Sequence, residues 1–310
     1  MERRDFIKKT VTAGAVSALS FEQLFAAAGG SKMVMGATPD MVAVMGGEPA
    51  QMLAKALEAL GGVEAYVKKG QSVVIKPNIG WDKKPELAAN TNPELVGALV
   101  EACYKAGASK VSVFDHTCDN WQKCYLSSGI EAAAKAVGAE VLPANDESYY
   151  TEVPLPNGIK LKTAKIHKAI LDADVWFNVP ILKNHGGAKM SIAMKNFMGI
   201  VWDRQFFHSN DLQQTIADIC TWSKKPALNI VDAYRILRKN GPQGRSINDA
   251  TVLKSLIVSR DIVAADTAAI KMFNQVEAMS IEQVGCIAHG EKLNLGTSQI
   301  DNLNIQRIKL

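Results

Sequence analysis

The sequence of 310 residues has few aromatic side chains and little net charge. Aromatic residues make up 6% of the chain, which argues against a groove that stacks sugars or single-stranded nucleic acid. The formal charge of +4 is too small to indicate a polyanionic partner, so we expect no nucleic acid to bind. With 47% hydrophobic residues the chain nevertheless has the composition of an ordinary globular protein, not of a disordered one.

The chain also lacks the short motifs that hold common cofactors. Residues 44–49, which follow the first predicted strand, form neither a dinucleotide fingerprint nor a P-loop. No Cys-x-x-Cys, His-Glu-x-x-His or Gly-x-Ser-x-Gly pattern occurs. The cofactor is therefore unknown, with no iron–sulfur ligand motif and no nucleotide motif, and no residue is assigned as a metal ligand.

Five cysteines are an odd number, so a monomer keeps at least one free thiol. Cys103, Cys220 and Cys286 lie in apolar helical patterns and are predicted to be small core residues. Cys118 and Cys124 share one predicted loop, where they either pair after export or stay as thiols, and we expect two thiols.

The N-terminus resembles an export signal. The run Arg3-Arg4-Asp5-Phe6-Ile7-Lys8 precedes a short apolar stretch and resembles the twin-arginine signal, and Ala26-Ala27-Ala28 offers a cleavage site. We predict a signal at residues 1–28, a linker at 29–39, and export by the twin-arginine machinery to the periplasm or cell envelope. The alternatives are an amphipathic helix of the folded domain, or an uncleaved signal that tethers an otherwise membrane-free domain.

Short apolar runs alternate with segments of helical periodicity along the rest of the chain. Strands are predicted at 41–45, 72–76, 111–114, 140–142, 175–179, 228–231, 253–258 and 303–305. Helices are predicted at 50–60, 91–106, 130–137, in a segment that runs through 169, and at 190–197, 212–222 and 262–273. This alternation predicts a single α/β domain at 40–310, with a mostly parallel sheet and helices on both faces, which is Rossmann-like layering without a dinucleotide fingerprint. A small β-hairpin excursion at 150–162 is predicted to turn at Asn157-Gly158.

Polar residues recur at the carboxyl ends of the predicted strands, where ligands of an open parallel sheet bind. Lys76 and Asn78 follow one strand, Asp115 the next and Asp232 a later one. A lysine at such a position is also typical of a solvated rim, and an aspartate of a turn or helix cap. The recurrence therefore indicates a site more strongly than any single residue does.

The densest cluster of polar residues lies between residues 183 and 196 and consists of Lys183, Asn184, His185, Lys189, Lys195 and Asn196. On a helix beginning near residue 188, the spacing places Met190, Met194 and Phe197 on a core-facing side. Lys189 and Asn196 share a different side and are expected to point into one cleft. Neighbouring lysines there need an anion, or lower one another's pKa.

These motifs resemble the family known as domain of unknown function 362. The resemblance covers roughly residues 41–310 and rests on Val73–Asn78, Thr91–Glu94, Phe114-Asp115, Asn178–His185 and Lys195–Gly199, although Ile181 and Asn184 replace a lysine and a threonine of the family pattern. It maps the family's recurring polar positions onto Lys76, Asn78, Asp115, Asn178, Lys183, His185, Lys195, Asn196 and His208. Many members carry cysteine-rich ferredoxin-like segments, which this chain lacks, so no cluster is carried over.

Two classes of function follow from these observations. The first is an exported enzyme that acts on a small anionic substrate, a carboxylate or a phosphate, by acid–base or redox chemistry. Its predicted catalytic residues are His185, Lys195 and Lys183, and its predicted substrate-binding residues are Lys76, Asn78, Asp115, Asn178, Lys189, Asn196 and His208. The second is a non-catalytic protein that binds an anion or cofactor. Electron transfer through an iron–sulfur cluster is a third hypothesis, which needs ligands absent from the sequence. A metal site of His185 and His208 with Asp115 or Asp232 is a further alternative.

Overall fold

The computed structural model describes residues 38–310. The predicted signal at 1–28 and residues 29–37 of the predicted linker lie outside the described residues. A ten-stranded sheet organises the described part of the chain, and a separate two-stranded sheet lies beside it. No described helix is long and apolar enough to cross a bilayer.

The first half of the described chain contains β1 (Met41–Met45), α1 (Pro49–Ala59), β2 (Ser72–Pro77), α2 (Pro93–Lys105), β3 (Lys110–Val113), α3 (Trp121–Ser127), α4 (Ile130–Ala136), β4 (Glu140–Val141), β5 (Tyr150–Pro154), β6 (Thr163–His167) and α5 (Lys168–Asp172). The second half contains β7 (Val175–Val179), β8 (Ile181–His185), β9 (Lys189–Ser191), α6 (Ala193–Asn196), α7 (Gln205–Ser209), α8 (Leu212–Ile219), β10 (Asn229–Leu237), β11 (Ala250–Ser259), α9 (Ile262–Phe273), α10 (Gly285–Lys292) and β12 (Ile305–Lys309).

The large sheet is mixed but mostly parallel. Its order is β12-β1-β11-β10-β7-β2-β3-β4, with β8 beside β10 and β9 beside β8. Strand β11 runs antiparallel to β1 and β10, and β9 antiparallel to β8, whereas the other neighbours are parallel. The predicted α/β fold is thereby confirmed, with β11 and the short β9 as the strands that depart from the parallel pattern.

Two apolar cores cover the two faces of this sheet. Along β2, Val73 and Ile75 pack with α1, α2 and α4 in one core, whereas Val74 belongs to the core formed with α6, α8, α9 and α10. This alternation follows from the two-residue period of a strand. Lys76 is two residues beyond Val74, so it faces the same side as α6, at the carboxyl edge of the sheet.

Two predicted helices are wrong. Residues 190–197 do not form one helix, because Lys189, Met190 and Ser191 pair with β8 and Ile192 has extended backbone angles, so α6 begins only at Ala193. Met190 is buried as predicted, but it is a strand residue. The segment before Ala169 forms β6, where Ala164 and Ile166 alternate inward with the period of a strand.

The structure also places the predicted hairpin and the five cysteines. Strands β5 and β6 pair antiparallel, and Asn157-Gly158 lies within the longer loop 155–162 that joins them. Cys103, Cys220 and Cys286 are buried as predicted. Cys124 is a buried free thiol and Cys118 an exposed one.

Candidate functional site

A cavity of about 650 Å³ opens at the carboxyl ends of β2, β3 and β8. Eight of the ten side chains that the sequence predicts for the site line it: Lys76, Asn78, Asp115, Lys183, His185, Lys195, Asn196 and His208. Arg204 and Asp203 also line it, so four basic and two acidic side chains border the cavity. The cavity is therefore positively charged and suits an anion.

Lys76 and Asp115 form a buried ion pair at the base of the cavity. The Nζ atom of Lys76 lies 2.9 Å from Oδ1 of Asp115, and their side chains are only 1% and 3% exposed. Lys76 Nζ also donates to the main-chain oxygen and to Oδ1 of Asn196, at 2.6 and 2.7 Å. Burial lowers the pKa of Lys76, and Asp115 opposes that shift. Three protein oxygens thus surround the Lys76 ammonium, and Lys76 holds α6 against β2.

A main-chain N–H group also holds the Asp115 carboxylate, through its other oxygen. Its Oδ2 accepts a hydrogen bond from the main-chain N–H of Ile79 at 2.6 Å, whereas Oδ1 faces Lys76 without a well-aligned hydrogen bond. Gly199 closes over this pair, since a Cβ at that position would lie 1.9 Å from Oδ1 and 2.5 Å from Lys76 Nζ. Only glycine fits there.

Three buried asparagines continue from Lys76 as a chain of side-chain amides. Asn196 Nδ2 donates to Oδ1 of Asn178 at 2.8 Å, and Asn178 Nδ2 donates to Oδ1 of Asn229 at 2.9 Å. Asn178 is fully buried and does not line the cavity. Its place behind Asn196 differs from the substrate contact predicted for it, because its amide groups are already used by protein partners.

Lys183 lies at the end of the cavity formed by β8. Its Nζ donates to Oδ1 of Asn78 at 3.0 Å and to the main-chain oxygen of Ala89 at 2.5 Å. Burial, assisted by the charge of Lys195, lowers the pKa of Lys183 to about 7. Two protein acceptors leave one N–H of the protonated amine for a ligand.

Lys195 is the lysine of the cavity that has no hydrogen-bond or ion-pair partner among residues 38–310. Burial is the main cause that lowers the pKa of this ammonium, to about 8. The nearby charges of Arg204 and Lys76 act in the same direction. An anion bound beside this half-buried ammonium would pair with it and stabilise its charged form.

The two predicted histidines differ in their surroundings. Burial and the charges of Lys195 and Lys183 lower the pKa of His185 to about 2, so its ring is neutral at physiological pH. Its Nδ1 accepts the main-chain N–H of Ala188 at 3.1 Å, and the neutral ring consequently carries its proton on Nε2. His208 is exposed at the rim, and burial, Lys195 and Arg204 lower its pKa.

A carboxylate on α9 positions the short helix that carries Lys195. Asp266 accepts the main-chain N–H groups of Ala193 and Met194, at 2.7 and 3.1 Å, where α6 begins. Burial raises the pKa of this carboxyl to about 7. Asp266 therefore holds the first residues of α6, and through them the position of Lys195 and Asn196.

Several side chains that line the cavity were not predicted from the sequence. Arg204 donates to the main-chain oxygens of His116 and Thr117, at 2.9 and 2.6 Å, and lies 3.2 Å from Cys118 Sγ. The ring of Trp202 stacks on His116 with centroids 5.1 Å apart. Signals for these were present, since Trp202 and Arg204 lie within five residues of the segment 195–199 and His116 directly follows Asp115.

Two of the predicted positions lie elsewhere. Lys189 is exposed on β9 and does not line the cavity, because it belongs to a strand and shares no helix face with Asn196. Asp232 accepts the main-chain N–H groups of Asn92 and Tyr234 outside the cavity, at 2.8 and 3.0 Å. Asp232 does not line the cavity that His185 lines, and within residues 38–310 no three His, Cys, Asp or Glu side chains group as metal ligands.

The comparison with protein families matches residues 73–271 to the domain of unknown function known as DUF362. The chain belongs to this family. The matched segment contains Lys76, Asp115, Lys183, Lys195 and the other residues that line the cavity. The resemblance seen in the sequence motifs is thereby confirmed, without an activity attached to it.

Two individual proteins are similar to this DUF362 chain. A thylakoid-associated protein of Synechocystis sp. is 26% identical over 218 residues, which are 68% of this chain and 65% of that protein. The lactate racemase apoprotein of Thermoanaerobacterium thermosaccharolyticum is 14% identical with a TM-score of 0.47, and the match covers 77% of this chain and 57% of that one. The chain therefore spans less than two thirds of the length of either protein, and the likeness to the racemase apoprotein is too distant to assign an activity.

Proposed function

We propose that this chain is an enzyme that binds a small anionic substrate, a carboxylate or a phosphate, and transfers a proton with Lys195. The observation that carries the proposal is the Lys195 ammonium, which has no partner among residues 38–310 and borders a positively charged cavity of about 650 Å³. With a pKa of about 8, this amine is present in both protonation states near neutral pH. A group in this range serves both as an acid and as a base.

The three lysines of the cavity differ in the number of N–H groups that remain available to a ligand. Lys76 has none to offer a ligand, Lys183 has one and Lys195 has three. We infer that Lys183 and the Nε2–H of His185 hold the anionic group, and that Lys195 also contacts the bound anion and moves the proton. His185 acts here as a hydrogen-bond donor, since its neutral ring has no free acceptor nitrogen.

The reaction class that fits these roles is proton transfer at a carbon next to a carboxylate. The neutral Lys195 amine takes the proton from carbon, and the carboxylate accepts hydrogen bonds from Lys183 and His185 as negative charge spreads onto it. Return of the proton from the Lys195 ammonium to the same carbon completes the cycle without an added oxidant or reductant.

The binding step is tested by titrating inorganic phosphate and malonate into the protein by calorimetry. We expect Lys195→Met to weaken binding about tenfold or more, because a hydrogen bond to a charged group is lost. Lys189→Met is the matched control, since it removes an exposed lysine outside the cavity, and we expect no change. Unchanged binding by Lys195→Met contradicts the proposal.

The chemical step is tested by deuterium exchange. The protein is incubated in D2O with a panel of small carboxylic acids, and NMR follows loss of the C–H signal next to the carboxylate. We expect exchange that falls about 10²–10⁴-fold in Lys195→Met. Anion binding that depends on Lys195 without exchange of any acid identifies the alternative, a non-catalytic anion-binding protein.

Export is a separate part of the proposal. We infer that the N-terminal segment directs the chain through the twin-arginine route to the periplasm or cell envelope, supported by Arg3-Arg4 and the small residues at 26–28. Fractionation of cells that express the full chain tests this. Wild type is expected outside the cytoplasm, and the double variant Arg3→Lys/Arg4→Lys inside it. Equal distribution of the two contradicts export by this route.

A further inference from the structure

The chain of amides that begins at Lys76 ends at a second cavity. Asn229, the last of the three asparagines, is fully buried and lines a cavity of about 610 Å³ that shares no lining residue with the first. Five separate segments form it, namely the hairpin loop at Asn157, Phe197, residues 220–229, the turn 260–262 before α9 and residues 292–295. It is nearly as large as the first cavity, and neither the predicted site nor the proposed reaction uses it.

Three cations border this second cavity without a counter-charge. Lys225, Arg260 and Lys292 line it, no carboxylate does, and within the described residues none of the three forms an ion pair. The Nζ of Lys225 donates to the main-chain oxygen of Cys220, a residue that also lines this cavity. Three like charges around one space repel one another, and an anion between them relieves the repulsion.

The remaining wall combines apolar side chains with Asn157, Thr221, Asn229 and Asn294. Phe197 and Ile262 are buried there, and Pro226, Leu293 and Leu295 are half-buried around the opening. An inorganic ion alone leaves this apolar surface in contact with water. A ligand with both an acidic group and an apolar body satisfies the cations and covers the apolar wall.

We propose that this second cavity binds a small organic anion with an apolar body, whose acidic group lies among Lys225, Arg260 and Lys292. The site is separate from the one that carries the proposed reaction. Its ligand belongs to a different chemical class from inorganic phosphate or malonate, because an apolar portion is required.

The test uses two fluorescent dyes that share an apolar body. Anilinonaphthalene sulfonate carries an acidic group and N-phenylnaphthylamine does not, so the pair separates charge from apolar contact. We expect saturable binding of the sulfonate, about tenfold tighter than that of the neutral dye. The double variant Arg260→Gln/Lys292→Gln is expected to weaken sulfonate binding about tenfold. Both side chains are exposed, so this variant folds, which circular dichroism checks.

Two controls locate the dye. Lys123→Gln removes an exposed lysine that lines neither cavity, and Lys195→Met alters the first cavity only. Both are expected to bind the sulfonate as wild type does. The proposal is overturned if the sulfonate fails to saturate, if the neutral dye binds equally well, or if Lys195→Met rather than the double variant weakens binding. None of these outcomes bears on phosphate binding in the first cavity.

Discussion

The ion pair between Lys76 and Asp115 is the contact whose removal has the largest calculable effect. In Asp115→Asn, the Lys76 ammonium remains 1% exposed and loses its counter-charge at 2.9 Å. Leaving one charge of a buried pair uncompensated costs about 3–5 kcal/mol of unfolding free energy. For a protein of this size that is a fall in the melting temperature of roughly 5–10 °C.

The same distance at the surface provides the control. Lys110 and Glu140 lie 2.8 Å apart, but their side chains are 52% and 56% exposed. An exposed pair contributes about 0–1 kcal/mol, because water solvates both charges and screens them. We therefore expect Glu140→Gln to leave the melting temperature almost unchanged, although it removes an equally short contact.

Urea unfolding of wild type, Asp115→Asn, Lys76→Met and the double variant completes the assay. Each single variant leaves one buried charge, whereas the double variant leaves none, so its loss of stability is expected to be smaller than the sum of the two. Additive losses, or a loss below about 1 kcal/mol for Asp115→Asn, would refute the reasoning that this pair is buried and coupled.

Four further predictions follow from the site. Gly199→Ala is expected to destabilise the fold by about 1–3 kcal/mol in urea unfolding, since its Cβ overlaps Asp115 Oδ1, and wild-type stability contradicts this. Sulfate affinity, measured by calorimetry because sulfate does not titrate near neutrality, should fall as pH rises from about 7 to about 8, where Lys183 and then Lys195 lose their charges, and Lys195→Arg should remove the part of the fall near 8. Asn178→Leu is expected to lower the melting temperature without a large change in malonate affinity, because its amide bonds protein groups. His185→Gln should keep most of the malonate affinity, as glutamine also donates, and loss beyond about 100-fold would show that its ring does more than donate.

The layering of the fold was predictable because each face of the sheet leaves a periodic apolar signal. Continuous β-branched runs such as Ser72–Lys76 indicate a strand covered on both faces, and β2 lies at the centre of the parallel strands. The antiparallel direction of β11 was not predictable, since strand direction depends on the path of the connection and not on local pattern. The sequence of residues 238–249, which connect β10 to β11, gave no indication of this antiparallel direction.

The segment 183–197 shows why the details of the site were harder to predict. Met190 and Met194 are spaced as on a helix, yet one is in β9 and the other in α6, and both are buried. Because β9 pairs with β8 over only a few residues, no strand period is long enough to detect. This error placed Lys189 in the cleft, whereas Lys195 and Asn196 reach it from α6.

Which lysine is unpartnered was beyond sequence reasoning. Lys76, Lys183 and Lys195 are the same residue type in the sequence. They differ only through the hydrogen-bond acceptors that distant segments bring close to them, such as Asn196 for Lys76 and Ala89 for Lys183. The order of the motifs along the chain therefore indicates where a site lies, and only the packed structure indicates which group in it is available.

The protonation of Lys195 is the most direct test of the proposed function. Reductive methylation with ¹³C-formaldehyde labels the lysine amines, and the methyl resonance that disappears in Lys195→Arg is followed by NMR as a function of pH. The account predicts a midpoint at about 8, which moves upward when malonate is added. A midpoint at the ordinary value for lysine, near 10.4, with no response to malonate would contradict it.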